Sequence, residues 1–512
     1  MPNPTETLAT LKSRLLEIQH LKDAAALLSW DQETYMPAGG GQTRAEQLAT
    51  LQTLAHAKFV SAEIEDLLLP HIDQATGFAK DNGLDDESKA LVRETWRDFS
   101  RARKLPADFV NRLERECSLA QQVWGDARRR DDFMHFLPNL QTVVALKFEE
   151  IDYLGYDDSP YDALLDTYEP GATAAQLQPL FATLRHGLLE LLQYVREAAS
   201  PPDDRILFQA YDQQQQLAFG KLVLHYMGYD FNRGRLDLSA HPFTTSFHPT
   251  DVRVTTRVFE KDLPSCLFSC IHEGGHGLYD QGLSQEHYGT PLGASLSLGM
   301  HESQSRLWEN NVGRSKAFWK HFFPLLRQYF PAQLETVSLD TFHAALNTVQ
   351  PSLIRVEADE VTYNLHIMVR FEIELALIEK RVQVKDLPGL WREKMREYLG
   401  ITPERDADGV LQDIHWSLGA LGYFPTYTLG NLYASMFFQQ ACQDIPTLET
   451  DIQRGNLLSL KTWLNRNIHR YGRQYSATDL LHRITGRALS VEPFLSYLRT
   501  KIGDIYGFTI TP

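Results

Sequence analysis

Cysteine is scarce. The 512 residues contain four, Cys117, Cys266, Cys270 and Cys442, too few for a disulfide framework and in keeping with a reducing cytoplasm. Long apolar runs are also missing. No stretch approaches the roughly 18 uninterrupted apolar residues of a membrane span, and the N-terminal stretch lacks a basic segment followed by an apolar one. Neither a membrane anchor nor a secretory leader is therefore expected. Positive charge is in deficit: 50 Lys and Arg stand against 66 Asp and Glu, a formal net charge of −16. Such a surface repels phosphate backbones and argues against nucleic acid as a partner. Ser/Gly linkers, low-complexity tracts and repeats are absent, and no composition shift marks a domain boundary.

What is present is ordinary for a folded globular chain, with 43% apolar and 23% charged residues. The patterning is helical almost throughout. "TETLATLKSRLLEIQHLKDAAALLSW", "AAQLQPLFATLRHGLLELLQYVREAA" and "TYNLHIMVRFEIELALIEKRV" each repeat apolar residues at three- and four-residue spacing. Alternating runs are rare. "DVRVTTRVF" (Asp251 to Phe259), with the residues just before it, is the best strand candidate. Turns are expected at Ser200–Asp204 and Ile401–Val410. The reading is a mostly α fold with one small sheet near the chemistry, organised as one large domain over residues 1–512 with one helical lobe or two.

The chemistry centres on "IHEGGHGLYDQG", Ile271 to Gly282. His272 and His276 stand at i and i+4, so on a helix both rings share one face and can reach one ion. Glu273 then lies beside the ion, placed to take a proton from water activated there. Asp262 is a suitable N-cap and Pro264 falls in the first turn, which favours a helix. Gly274 and Gly275 argue the other way, since each costs a helix interior about 1 kcal/mol relative to alanine. A helix that carries them must be packed very closely against another helix or against an extended substrate. Cys266 and Cys270 would lie roughly 120° around from the histidines and read as buried free thiols rather than ligands. A catalytic zinc needs a third protein ligand. The next acidic cluster, "LGMHESQSRLWENN" (Leu298 to Asn311), is helical in pattern and offers His301 or Glu302, with Glu286, His287 and Glu309 as further candidates.

"HEGGH" followed at this distance by "HESQ" resembles the carboxypeptidase Taq family of metallocarboxypeptidases. "HPF" (His241 to Phe243), "DVRVT" (Asp251 to Thr255), "IRVEAD" (Ile354 to Asp359), "GVLQDIHW" (Gly409 to Trp416) and the opening block "LSWDQETYMPAGGGQTRAEQLA" (Leu28 to Ala49) agree with it, so the resemblance spans nearly the whole chain. It implies a large helical peptidase fold with a deep central groove, usually a homodimer. It also implies one divalent metal ion per chain, zinc or cobalt, and release of single amino acids from peptides with a free C-terminus. Broad side-chain tolerance and poor cleavage at proline belong to the same implication. The resemblance favours Glu302 as third ligand beside His272 and His276, with Glu273 as the base.

The remaining roles rest on the same motifs. His415, Tyr423 and Tyr427 could stabilise the oxyanion or bind substrate, Tyr427 first by the family pattern, or be packing aromatics. Arg355 is preferred over Arg253 as reader of the substrate's terminal carboxylate, but either could be a structural ion pair, with Asp359 and Asp251 as the obvious neighbours. His241 has no defined role beyond shaping the groove. One turn after Glu302, where many zinc peptidases place an acceptor for a ligating histidine, stands Arg306; the acceptor must come from elsewhere, with Asp359 and Glu309 as candidates. An endo- or dipeptidase, or an inactive helical scaffold that binds peptides, remain the competing readings.

Overall fold

Asp262 starts the helix that the HEGGH stretch requires. Its carboxylate accepts from the Ser265 amide at 3.0 Å, and Pro264 occupies the first turn, where no intrahelical N–H is lost. The helix runs Leu263–Gly282 without a break at the two glycines. It is part of a computed structural model that describes residues 4–80, 83–198 and 201–509. The fold is mostly α, with one three-stranded sheet among the described residues.

The chain divides into two compact units, each assembled from three separated stretches: Met1–Arg103, Asp204–Leu346 and Phe437–Ala488, and Lys104–Asp203, Asn347–Met436 and Leu489–Pro512. Interleaving of this kind leaves no composition step for a sequence reading to find.

In the first unit the N-terminal helix, Pro4–Thr34, buries Leu8, Leu11, Leu15 and Ile18 against Ile64, Leu68, Leu91 and Phe99. This is the three- and four-residue apolar stripe read from the sequence. The sheet has β1 (Gly234–Leu238), β2 (Thr244–His248) and β3 (Asp251–Thr256) in the order β1-β3-β2, with β1 parallel and β2 antiparallel to β3. The candidate strand is thus β3, which ends at Thr256; Phe259 pairs only in an isolated bridge with Asp262, where the chain turns into the helix. Val254 of β3 packs on Gly277, which sets the sheet directly against the histidine helix. The segment from Leu298 is α-helical to Arg306 and then continues as a π-helix, Leu307–Gly313.

The second unit holds the helices Ala107–Arg130, Phe133–Leu154, Ala174–Glu197, Tyr363–Ile378 and Leu387–Leu399. Tyr363–Ile378 is buried on nearly every side, yet it carries Arg370 and Glu374, both without exposed surface. Ile401–Val410 is irregular apart from a short 3-10 turn at Asp406–Asp408, and Pro201–Asp204 is also irregular; Ala199 and Ser200 lie outside the described residues. Among the described residues no helix is long and apolar enough to cross a membrane.

Candidate active site

The two interior glycines are explained by their neighbours. A Cβ on Gly275 would stand 2.6 Å from Ser305 Cα and 2.7 Å from the Gln304 carbonyl oxygen. The histidine helix and the helix Leu298–Arg306 therefore touch backbone to backbone, and Glu302 lies one turn from that contact. A Cβ on Gly274 would meet Leu224 Cδ2 at 2.4 Å, on the helix Gln213–Met227. The contact is reciprocal in kind, since Gly220 of that helix faces Cys270 Sγ. Cys266 and Cys270 are free and buried.

This approach brings His272, His276 and Glu302 together, so that one ligand atom of each lies within 4.8 Å of the others. Glu302 Oε2 is 3.4 Å from His276 Nε2 and 3.7 Å from His272 Nε2. A tetrahedral ion with ligand distances of about 2.0–2.1 Å has ligand–ligand edges of about 3.4 Å. Two imidazole nitrogens, each at close to that spacing from one carboxylate oxygen, fit a catalytic metal with an open fourth position. Among the described residues this is the cluster of His, Cys, Asp and Glu side chains that converges in this way.

Two of these three side chains, His272 and Glu302, are held from behind. His272 Nδ1 lies 2.8 Å from Glu309 Oε2, which places the ring proton on Nδ1 and leaves Nε2 free to coordinate. Glu309 is thus the acceptor that the sequence left open. Asp359, the other candidate, belongs to the second unit and accepts there from the Gln350, Val361 and Thr362 amides. Arg306 does not break the design. Its Nε donates to Glu302 Oε1 at 2.7 Å and its Nη1 reaches Glu309 Oε2 at 3.3 Å, so it ties the two carboxylates together, while Glu302 Oε2 accepts from the Ser305 hydroxyl at 3.1 Å and faces the two histidines. Burial pulls the Glu309 carboxyl upward, but Arg306, His272 and Arg314 outweigh it and hold it down at about 2. His301 does not join the cluster: its Nε2 is engaged 3.0 Å from Asp280 Oδ1, and its ring stacks on His276 with centroids 4.4 Å apart. Glu286 is exposed and His287 pairs with Glu87, the bland reading for both.

Glu273 is 7% exposed, and its Oε2 accepts from the Thr244 hydroxyl at 2.7 Å. Burial raises its carboxyl above the ordinary range, the direction a general base near neutrality needs. Thr244 follows the HPF segment, and Thr255 fastens that segment in place: its hydroxyl accepts from the Phe243 amide, and its own amide donates to the Phe243 carbonyl. His241 is exposed at the entry to β2. Arg253 is bidentate on Asp251, both contacts at 2.9 Å, and lies 4.3 Å above the Trp30 ring of the opening block.

The second unit gathers the other candidates. His415 Nε2 is 3.2 Å from the Tyr427 hydroxyl, and the Tyr423 ring packs against both residues. Burial, with Arg355 and Arg370 nearby, pushes His415 down to about 3, so the ring is neutral and can accept from Tyr427. Arg355 pairs with Asp413, its Nε at 3.0 Å and Nη2 at 2.7 Å from Oδ1, while Nη1 donates to the Tyr363 hydroxyl. Its partner is thus Asp413 and not Asp359. Arg306, Thr244, Asp280, Asp413 and Arg370 were not singled out for these contacts from sequence. Only Asp413, two residues before His415 within GVLQDIHW, carried a visible signal.

A family model described as "Carboxypeptidase Taq (M32) metallopeptidase" matches residues 10–502. "Thermostable carboxypeptidase 1" of Thermus thermophilus is 45% identical over 506 residues, covering 96% of this chain and 98% of that protein. "Carboxypeptidase 1" of Bacillus subtilis is 38% identical over 492 residues, covering 96% and 97%. The crystal structure of a carboxypeptidase of the same family from Deinococcus radiodurans superposes with a TM-score of 0.93 at 40% identity, covering 98% of this chain and all of that one.

Proposed function

Because the chain belongs to the carboxypeptidase Taq family of metallopeptidases, we propose that it is a metal-dependent carboxypeptidase that removes single amino acids from the free C-termini of peptides. We assign it broad side-chain tolerance with poor cleavage at proline, zinc as the ion with cobalt as a substitute, a homodimeric state, the cytoplasm, and one catalytic domain made from the whole chain. The observation that carries the reading is the convergence of His272, His276 and Glu302 beside a buried Glu273.

A divalent ion held by these three residues would polarise the scissile carbonyl and acidify the attacking water. Glu273 takes the water's proton and passes it to the leaving amine, with Thr244 orienting its carboxylate. Glu309 and Arg306 keep the His272 ring and the Glu302 carboxylate aimed. Tyr427, hydrogen-bonded to His415, is the donor for the developing oxyanion, and Tyr423 and His241 contact the peptide. Arg355 reads the terminal carboxylate with its planar fork. Arg253, paired with Asp251 and lying over the Trp30 ring, is the second choice for that role.

Digestion of one unblocked peptide, with chelator and with added zinc or cobalt, tests the reading by mass spectrometry. Stepwise loss of single residues from the C-terminus, dependent on metal, is expected; internal fragments or dipeptides would assign a different peptidase activity. Glu273→Gln should bind metal normally and lose at least about a thousandfold in kcat/KM. Retained turnover would remove Glu273 as the base.

A further inference from the structure

Asp413 stands between two arginines. Its Oδ1 accepts from Arg355, as above, while its Oδ2 accepts from Arg370 Nε at 2.6 Å and lies 2.5 Å from Arg370 Nη2. Arg370 has no exposed surface; its Nη1 donates to the His366 carbonyl at 2.8 Å and its guanidinium lies 4.5 Å from the Trp391 ring. A guanidinium held wholly out of water is costly unless something requires it, and Asp413 with Arg355 alone would already be a balanced pair. Glu374, one turn further along the same helix, is oriented toward the Tyr161 hydroxyl, the Trp416 indole and the Gly422 amide. His415, 4.0 Å from Asp413, is neutral. Asp413 thus pairs with both arginines, while Glu374 feels Arg370 through space but is lifted by burial toward its neutral form, so the surplus positive charge falls on the pair that includes Arg355.

We propose that Arg370 is a positioning residue for C-terminal recognition: by claiming one oxygen of Asp413, it keeps that carboxylate from neutralising Arg355 and so leaves Arg355 a net attraction for the substrate's terminal carboxylate. This rests on Arg355 as the carboxylate reader. It explains why a cation that need not touch substrate is buried behind one that does, and it makes a charge requirement of what otherwise reads as a structural ion pair.

The test uses the full-length, metal-loaded enzyme. An unblocked peptide supplies KM and kcat. Competitive binding of an N-acyl amino acid and of its C-terminal amide supplies the preference for carboxylate over amide. Arg370→Met retains an apolar stem against Trp391 and removes the charge. It should raise KM and reduce the carboxylate preference by about tenfold or more, with kcat changed far less. The double variant Arg370→Met/Asp413→Asn removes both members of the inner pair, leaves Arg355 charged, and should recover most of the preference. An unchanged preference in Arg370→Met, or a loss that the double variant does not recover, overturns the proposal. Arg355→Met separates the two levels. If it abolishes the preference while Arg370→Met does not, the carboxylate reader stands and only the role of Arg370 falls. If Arg355→Met leaves the preference intact, the reading of Arg355 fails and the proposal falls with it.

Discussion

Gly275 and Gly274 stand side by side in the histidine helix, and their neighbours give them different roles. Alanine at either site gains about 1 kcal/mol of helix propensity. At Gly274 the obstacle is the tip of the Leu224 side chain, which can rotate. At Gly275 it is the backbone of Gln304 and Ser305, which can yield only if the helix carrying Glu302 moves. Gly275→Ala should therefore destabilise by about 1–3 kcal/mol and weaken metal binding as well, whereas Gly274→Ala should stay within about 1 kcal/mol of the parent. Thermal melting together with chelator competition measures both; equal effects at the two sites would refute the backbone contact as the reason for the second glycine. That His272 and His276 share one helix face beside Glu273, and that the glycines imply a close approach, was legible in the sequence, because spacing on a single helix fixes these features. Which element comes close was not, because Leu224 and Ser305 lie 50 residues before and 30 residues after the pair.

A single element, the helix Leu298–Arg306 with its π-helical continuation Leu307–Gly313, supplies most of what surrounds the ligand atoms. Glu302 and Glu309 are seven residues apart, two helical turns, so one face presents Glu302 and the acceptor behind His272, with Arg306 between them. An expectation set one turn after Glu302 meets Arg306 and finds no acceptor; the heptad position two turns on holds it. Glu309→Gln should lower metal affinity by about 10–100-fold, because an amide accepts more weakly from His272 Nδ1 and its own N–H₂ can oppose that donor. Chelator competition reads the change, and unaltered affinity would mean that the His272 ring is fixed by packing alone. Legibility at this scale follows locality. The Asp262 cap was readable because capping depends on neighbours in sequence. The π-helix was not, since it carries no local signature. β2 was legible only as the residues just before Asp251, without bounds of its own: Phe247 alone is buried in it, so it shows none of the alternation that betrays a half-buried strand.

For the whole molecule, one domain with one helical lobe or two was the reading; the two compact units are each built from three separated stretches, and contacts between distant segments define them, which composition does not record. Charge was legible at this scale, and it frames a measurement of stability. A chain with 16 excess negative charges gains self-repulsion as pH rises, which masks any single buried carboxyl. Glu374 is such a group. Burial lifts it to about 7, against opposition from its three donors and Arg370. Its usual value is 4.5. Between these two pH values the folded chain keeps the proton and the unfolded chain releases it, so the contribution of Glu374 to stability is greatest below about pH 4.5 and declines as pH rises toward about 7. The full decline is about 3 kcal/mol. Glu374→Gln has no such proton to lose, while every other titrating group and the global repulsion are common to both proteins. Denaturant titrations of the two at pH 5 and pH 8 should therefore show the difference in stability moving toward the variant by most of that amount, whatever fixed cost the amide imposes on the Tyr161, Trp416 and Gly422 hydrogen bonds. A difference independent of pH would mean that Glu374 stays ionised across this range, with its three donors and Arg370 outweighing its burial.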